Sequence, residues 1–130
     1  MDWTEKRVLV TGAGGFIGSH LTESLVDHGA DVRAFVRYNS RNDPGLLRLL
    51  PPERLDRVRI LMGDLRDADA VRRAVRGVDV VFHLGSLIAI PYSYAHPRET
   101  VETNVIGALN VFEAARDAGV QETGDGVDGE

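Results

Sequence analysis

Four short apolar segments are spaced along the chain. The first, Arg7–Thr11, places three aliphatic residues in succession, without the polar alternation of a half-exposed strand. Such a run is typical of a strand that is buried on both faces of a parallel sheet. The same interpretation predicts three further strands, at residues 31–36, 58–62 and 78–84.

Helical patterns separate these strands. Apolar residues recur every four positions in Phe16–Asp27, and Gly29 follows as a C-terminal stop. Asp67 is a suitable N-cap for a second helix that ends before Gly77. A third helix is predicted over residues 97–118, and its expected core face consists of Val101, Val105, Ala108, Leu109 and Phe112. Strands and helices that alternate with short links predict an α/β fold with a right-handed parallel sheet.

The last ten residues depart from this alternation. Residues 121–130 contain one aliphatic side chain, Val127, among glycines and acidic residues, so we expect a disordered acidic tail. The chain would then be a partial domain over residues 1–120, truncated after the fourth strand and its following helix. The fourth strand would be an exposed apolar edge, which favours marginal stability and self-association, for example as a homodimer.

Composition narrows the classes of function. The chain has 130 residues, a net charge of −5 and no cysteine. No apolar run approaches the ~20 residues that cross a bilayer. These features argue against a nucleic-acid partner, a thiolate metal site and a membrane span, and they favour a cytoplasmic location. No metal is expected either, because none of the histidines has the paired spacing of metal ligands.

A glycine-rich segment joins the first strand to the first helix. Gly12 permits a tight turn, Gly15 lets the backbone approach a pyrophosphate, and Gly18 allows close packing of the helix on the strand. The N–H groups at the start of the helix, at Phe16 and Ile17, would face the phosphates together with the helix dipole. This context predicts a dinucleotide site on a Rossmann-type, doubly wound parallel sheet. The alternative is a plain tight turn between strand and helix.

The spacing Thr-Gly-x-x-Gly-x-x-Gly resembles that of the extended short-chain dehydrogenase/reductases, the family of NAD(P)-dependent sugar-nucleotide epimerases and dehydratases. Residues 63–67 (GDLRD), 83–86 (HLGS) and 103–107 (TNVIG) are similar to three further motifs of that family. The resemblance implies that these segments carry additional cofactor-binding residues, namely Asp64, Leu65, Leu84, Gly85, Ser86 and Asn104.

Two of these residues also have a simpler interpretation. Asp64 lies where a carboxylate after a strand could accept from an adenine amino group; the alternative is a simple turn before a helix. Asn104 could hydrogen-bond the loop after the fourth strand or lie on a helix surface. For His83 we favour a polar group that is satisfied at a strand end over a catalytic role.

Residues 87–94 (LIAIPYSY) are similar to a loop of the 4,6-dehydratases that act on nucleotide-linked N-acetylhexosamines. This resemblance implies oxidation of a sugar C4 hydroxyl by NAD(P)+, loss of water across C5 and C6, and return of the hydride to C6. Tyr92 and Ser93 are then candidates for contacts with a nucleotide-linked sugar. The alternative is a structural loop packed by Ile88 and Ile90.

The end of the second strand bears on the choice of cofactor. A carboxylate at this position usually accepts hydrogen bonds from the adenosine ribose of NAD, and no acidic residue is present there. Arg37, with Ser40 or Arg41 beside it, could instead bind a 2′-phosphate. A charge-assisted hydrogen bond contributes about 1.5–3 kcal/mol, or roughly 10- to 100-fold in affinity. NADP is therefore expected to bind more tightly than NAD, unless both arginines are solvated surface groups.

One motif of the family is missing. Its proton-transfer motif is Tyr-x-x-x-Lys, and none of Tyr38, Tyr92 and Tyr94 has a lysine four residues later, since Lys6 is the only lysine. The resemblance ends near residue 121, and we expect this chain to lack the substrate domain. We expect an N-terminal part of a nucleotide-sugar 4,6-dehydratase that is inactive alone. The alternatives are a 4-epimerase or reductase of the same family and a non-catalytic NADP-binding sensor module.

Overall fold

A parallel sheet forms the centre of the protein. The computed structural model describes residues 2–38, 41, 43–85 and 97–120, together with the backbone of residues 122–125. In this structure β1 (Arg7–Thr11) lies between β2 (Asp31–Arg37) and β4 (Val80–His83). Strand β3 (Val58–Gly63) pairs with β2, and β5 (Glu122–Asp125) pairs with β4, which gives the order β3-β2-β1-β4-β5. The predicted α/β class with a parallel sheet is confirmed.

Helices cover both faces of this sheet. They are α1 (Phe16–Asp27), α2 (Pro52–Leu55), α3 (Ala68–Val75), α4 (Pro97–Val101) and α5 (Gly107–Ala118), with a 3₁₀ turn at Gly45–Leu49 and a π-helical segment at Glu102–Ile106. None of the helices in the described part of the chain is long and apolar enough to cross a membrane.

Strand β1 contributes to two separate hydrophobic clusters. Val8 and Val10 pack on one face of the sheet, in the cluster that includes Leu25 and Val26 of α1. Leu9 points to the other face and packs in the cluster formed with α3 and α5. The three consecutive aliphatic residues are therefore buried on both faces, as predicted from the lack of alternation.

The ends of two helices agree with the sequence. Helix α1 spans the predicted Phe16–Asp27. The Asp67 side chain accepts hydrogen bonds from the backbone N–H groups of Asp69 and Ala70, at 3.0 and 3.2 Å, and so caps α3 as predicted.

The predicted core face of the last helix is wrong. Val101, Val105, Leu109 and Phe112 are between 43% and 59% exposed, and Ala108 is only partly buried. The residues that face the core are instead Thr103, Gly107, Val111, Ala114 and Ala115. Two causes act together. The π-helical segment shifts the phase of the side chains, and close packing on Leu65 demands a small residue, since a Cβ on Gly107 would lie 2.9 Å from the Leu65 Cβ.

The expectation that residues 121–130 supply no strand is wrong for four of them. The backbone of Glu122–Asp125 forms a parallel ladder with β4, from Val80 opposite Glu122 to His83 opposite Asp125. A ladder needs only backbone N–H and C=O groups, which this polar segment provides without apolar side chains. Strand β4 is therefore not the edge of the sheet, and self-association through that edge loses its basis. Residues 121 and 126–130 lie outside the described residues.

Candidate cofactor-binding site

The turn between β1 and α1 is held close to the end of β4. Gly12 has a φ of +67°, and a Cβ at this position would lie 2.5 Å from the carbonyl oxygen of Leu84. The turn closes when the Gly15 N–H donates to the Gly12 carbonyl, at 3.1 Å. Only glycine satisfies both the left-handed backbone and this approach of two chain segments.

Gly15 and Gly18 face different surroundings within the same turn. A Cβ on Gly18 would lie 2.1 Å from the Gly12 carbonyl oxygen, so the first turn of α1 packs directly on the glycine loop. A Cβ on Gly15 would meet only that same oxygen, at 3.5 Å. The backbone at Gly15 is therefore open toward the side from which a ligand would approach.

The start of α1 offers backbone donors on this open side. Gly15 is the N-cap residue, and no side chain caps the helix. Phe16 and Ile17 in the first turn are 70% and 69% exposed. The first N–H groups of a helix lack intrahelical partners and carry a partial positive charge. The arrangement fits the pyrophosphate of a dinucleotide, because the glycine loop leaves room where a larger residue would place its side chain.

A buried hydroxyl joins the carboxyl ends of β1 and β4. The Thr11 Oγ1 atom accepts hydrogen bonds from the N–H groups of Leu84 and Gly85, both at 3.0 Å, and lies 2.7 Å from the His83 Nδ1 atom. Since the oxygen already accepts twice, the hydroxyl hydrogen is the one available for Nδ1, which then acts as the acceptor. His83 is 5% exposed and packs edge-on against Phe112, with ring centroids 6.0 Å apart.

Leu65, after β3, packs closely against Gly85, after β4. Leu65 is 7% exposed, and a Cβ on Gly85 would lie 2.6 Å from its Cδ1 atom. The Asn110 side-chain amide donates to the Leu65 carbonyl at 2.8 Å and ties this turn to α5. The segments that follow β1, β3 and β4 are thus in contact with one another at the carboxyl edge of the sheet, where open α/β sheets usually bind ligands.

Asp64 is engaged by a neighbouring arginine. The Arg66 Nη2 and Nε atoms donate to the carboxylate at 2.7 and 3.1 Å, and the Arg66 backbone N–H donates to Oδ1 at 2.9 Å. These hydrogen bonds lower the pKa of the Asp64 carboxyl, and the positive charge of Arg37 adds to the effect. The carboxylate that the resemblance assigns to the adenine is therefore oriented by Arg66.

Arg37, at the end of β2, also has a partner of opposite charge. Its guanidinium forms an ion pair with the Glu99 carboxylate of α4. The Arg37 side chain is 49% exposed and that of Glu99 is 23% exposed. The sequence identified Arg37 as a candidate phosphate ligand, and the structure shows that a carboxylate already compensates its charge.

The structure describes only some of the remaining predicted site residues. Arg41 is exposed, and Asn104 is partly buried in the π-helical segment. Ser40, Ser86, Tyr92 and Ser93 lie outside the described residues. Within the described part of the chain, no group of three His, Asp or Glu side chains could hold a metal ion.

Three residues that contribute to the site were not assigned a role from the sequence. Thr11 and Arg66 lie inside the recognised motifs, and their positions beside Gly12 and Asp64 are the signal that could have found them. Glu99 has no such signal, because its partner Arg37 is 62 positions away in the sequence.

Comparison with known proteins agrees with this geometry. The family model described as GDP-mannose 4,6 dehydratase matches residues 9–125. The chain is 35% identical over 120 residues to "Uncharacterized membrane protein MJ1061" of Methanocaldococcus jannaschii, covering 92% of this chain and 35% of that protein.

Two solved structures show the same fold. One is the UDP-glucose 4-epimerase of Thermus thermophilus in complex with NAD (34% identity, TM-score 0.73), which covers 90% of this chain and 36% of that one. The other is DesIV, a dTDP-glucose 4,6-dehydratase of Streptomyces venezuelae with NAD and TYD bound (34% identity, TM-score 0.73; 90% and 38%).

The chain spans about a third of the length of each of these relatives. Both solved structures contain NAD, which supports NAD(P) as the class of cofactor. With a family model that extends over most of its length, the chain belongs to the GDP-mannose 4,6 dehydratase family, among the short-chain dehydrogenase/reductase epimerases and dehydratases.

Proposed function

We propose that this chain binds NADP or NAD and forms the cofactor-binding part of a nucleotide-sugar 4,6-dehydratase. The observation that carries the proposal is the glycine loop from Gly12 to Gly18, which opens at Gly15 onto the uncapped start of α1. When bound, the cofactor would supply hydride acceptance and return. The residues of this chain would bind and orient it.

Each part of the dinucleotide has a proposed partner. The backbone N–H groups at the start of α1 would bind the pyrophosphate. Asp64, oriented by Arg66, would accept from the adenine amino group, with Leu65 packing against the ring. Leu84, Gly85 and Ser86 would continue this surface toward the nicotinamide, with Asn104 ordering its edge.

Dehydration of a nucleotide-linked sugar is the favoured reaction of the complete enzyme. The family description and the dehydratase from Streptomyces venezuelae support it, as does the similarity of residues 87–94 to a dehydratase loop. The Thermus thermophilus enzyme, with the same identity and TM-score, favours a 4-epimerase as the second candidate.

Binding without turnover is the first expected result. Lys6 is the only lysine and precedes every tyrosine, so the chain has no Tyr-x-x-x-Lys to move the proton during hydride transfer. Calorimetric titration with NADP+ should show saturable binding, and incubation with NADP+ and GDP-mannose or dTDP-glucose should release no 4-keto sugar. Absence of cofactor binding would contradict the proposal. Turnover would contradict the fragment interpretation, in which this chain lacks essential residues.

A preference for NADP is the second expected result. Arg37 lies at the carboxyl end of β2, near the expected position of the adenosine ribose, and Arg41 follows it; Ser40 is the third proposed contact. We expect NADP+ to bind about tenfold more tightly than NAD+, at the lower end of the range for a charge-assisted hydrogen bond, because Arg37 must leave Glu99.

The test is the ratio of the two dissociation constants. Arg37→Ala should bring the ratio close to one by weakening NADP+ binding while leaving NAD+ binding nearly unchanged. Arg116→Ala on α5 is the matched control, because this exposed arginine pairs only with acidic neighbours on its own helix among the described residues. Equal affinities of the unaltered protein for NADP+ and NAD+ would overturn the preference.

A further inference from the structure

The ion pair between Arg37 and Glu99 connects the end of β2 to helix α4. These two elements come from different parts of the chain, and the pair lies at the carboxyl end of β2, where the adenosine end of the cofactor is expected. Glu99 is the more buried partner, with 23% of its side chain exposed. The Glu99 carboxylate therefore already pairs with the guanidinium group that a 2′-phosphate would need to bind.

Further charges surround this pair. Asp64 and Arg66 form the neighbouring ion pair, and the pKa of Arg66 is raised mainly by Asp64, with smaller effects from the charges of Glu99 and Glu102. The two ion pairs thus give each of the two guanidinium groups an anionic partner. A 2′-phosphate that approaches Arg37 meets a cation that is already compensated, and it is repelled by the Glu99 carboxylate beside it.

We propose that Glu99 is a specificity-determining residue that competes with the 2′-phosphate of NADP for Arg37. This inference rests on the proposed function. NAD carries a hydroxyl at the 2′ position and can bind while the ion pair stays intact. NADP must first separate Arg37 from Glu99, so Glu99 limits the preference for NADP that Arg37 creates.

The direct test is Glu99→Gln, which keeps the shape of the side chain and removes its charge. Since partly exposed ion pairs contribute little individually, we expect an increase of about fivefold in NADP+ affinity and less than about twofold in NAD+ affinity. Adenosine 2′,5′-bisphosphate and AMP serve as smaller probes and should show the same difference. Thermal unfolding of the variant serves to confirm that it folds.

A double-mutant cycle isolates the pair. In an Arg37→Ala background, Glu99→Gln should change NADP+ affinity by less than about twofold, because the contested guanidinium is gone. Glu102→Gln removes the same charge from a position one helical turn away and should also change NADP+ affinity by less than about twofold.

The outcomes separate the inference from the proposed function. Equal gains for NADP+ and NAD+ in Glu99→Gln, a gain that persists without Arg37, or an equal gain in Glu102→Gln would each overturn the role of Glu99 while cofactor binding stands. If the unaltered protein and all the variants bind neither dinucleotide, the proposed function fails, and the inference fails with it.

Discussion

Gly18→Ala is expected to lower the free energy of unfolding by about 3 kcal/mol, at the upper end of the usual cost of overpacking. The added Cβ would lie 2.1 Å from the carbonyl oxygen of Gly12 and 2.8 Å from the Cα atom of Ala13. Both are backbone atoms, so no side-chain rotation relieves the overlap. The first turn of α1 would have to move away from β1, and the glycine loop would open with it.

Gly15→Ala is the matched control within the same loop. Gly15 has an extended backbone with a φ of −82°, which any residue adopts, and its Cβ would have no contact closer than 3.5 Å. We expect it to change the free energy of unfolding by no more than about 1 kcal/mol. It should still weaken NADP+ binding at least tenfold, because the methyl group takes the space proposed for the pyrophosphate.

Urea unfolding followed by circular dichroism, together with calorimetric titration of NADP+, separates these effects. Gly18→Ala should lose both stability and binding, whereas Gly15→Ala should lose binding alone. A Gly18→Ala protein as stable as the unaltered chain would show that the close approach of α1 to the loop is not required by the fold. Unchanged NADP+ binding in Gly15→Ala would argue against the proposed path of the pyrophosphate.

Local signals were sufficient for most of the fold. The unbroken aliphatic run of β1 has no stable position except between two buried faces, and it lies there. Asp67 caps α3 because its carboxylate is close in sequence to the N–H groups it binds. The glycines of the first turn are likewise adjacent in the chain. Interactions between residues a few positions apart can be predicted directly from the sequence.

Predictions that depended on distant partners were less successful. The face of α5 depends on the π-helical segment before it and on the small gap left by Leu65, and neither is visible from apolar spacing. Strand β5 forms through backbone pairing with β4, which hydrophobicity does not report. The ion pair of Arg37 with Glu99 joins residues from two elements that meet only in the folded chain.

Thr11→Val is expected to destabilise the protein by about 3 kcal/mol, although valine has nearly the same shape as threonine. Thr11 is 1% exposed, so no water replaces its hydroxyl. The substitution leaves the Gly85 N–H and the His83 Nδ1 atom without their hydrogen bonds to this oxygen. The Leu84 N–H is affected less, because it also contacts the Thr11 carbonyl at 3.3 Å. A buried polar group that loses its partner lowers the free energy of unfolding by more than the original hydrogen bond had added to it.

Thr11→Ser separates the hydroxyl from the methyl group. Serine keeps the oxygen and loses one buried methyl group, so we expect a loss of about 1 kcal/mol, which urea unfolding can distinguish from the effect of valine. The valine variant should also bind NADP+ more weakly than the serine variant, because Thr11 positions the Leu84–Gly85 segment against Gly12. If valine proves as stable as serine, the hydroxyl is not what joins β1 to β4. The contact between the glycine loop and the end of β4 must then depend on packing at Gly12 and on backbone pairing, including the hydrogen bond from the Leu84 N–H to the Thr11 carbonyl.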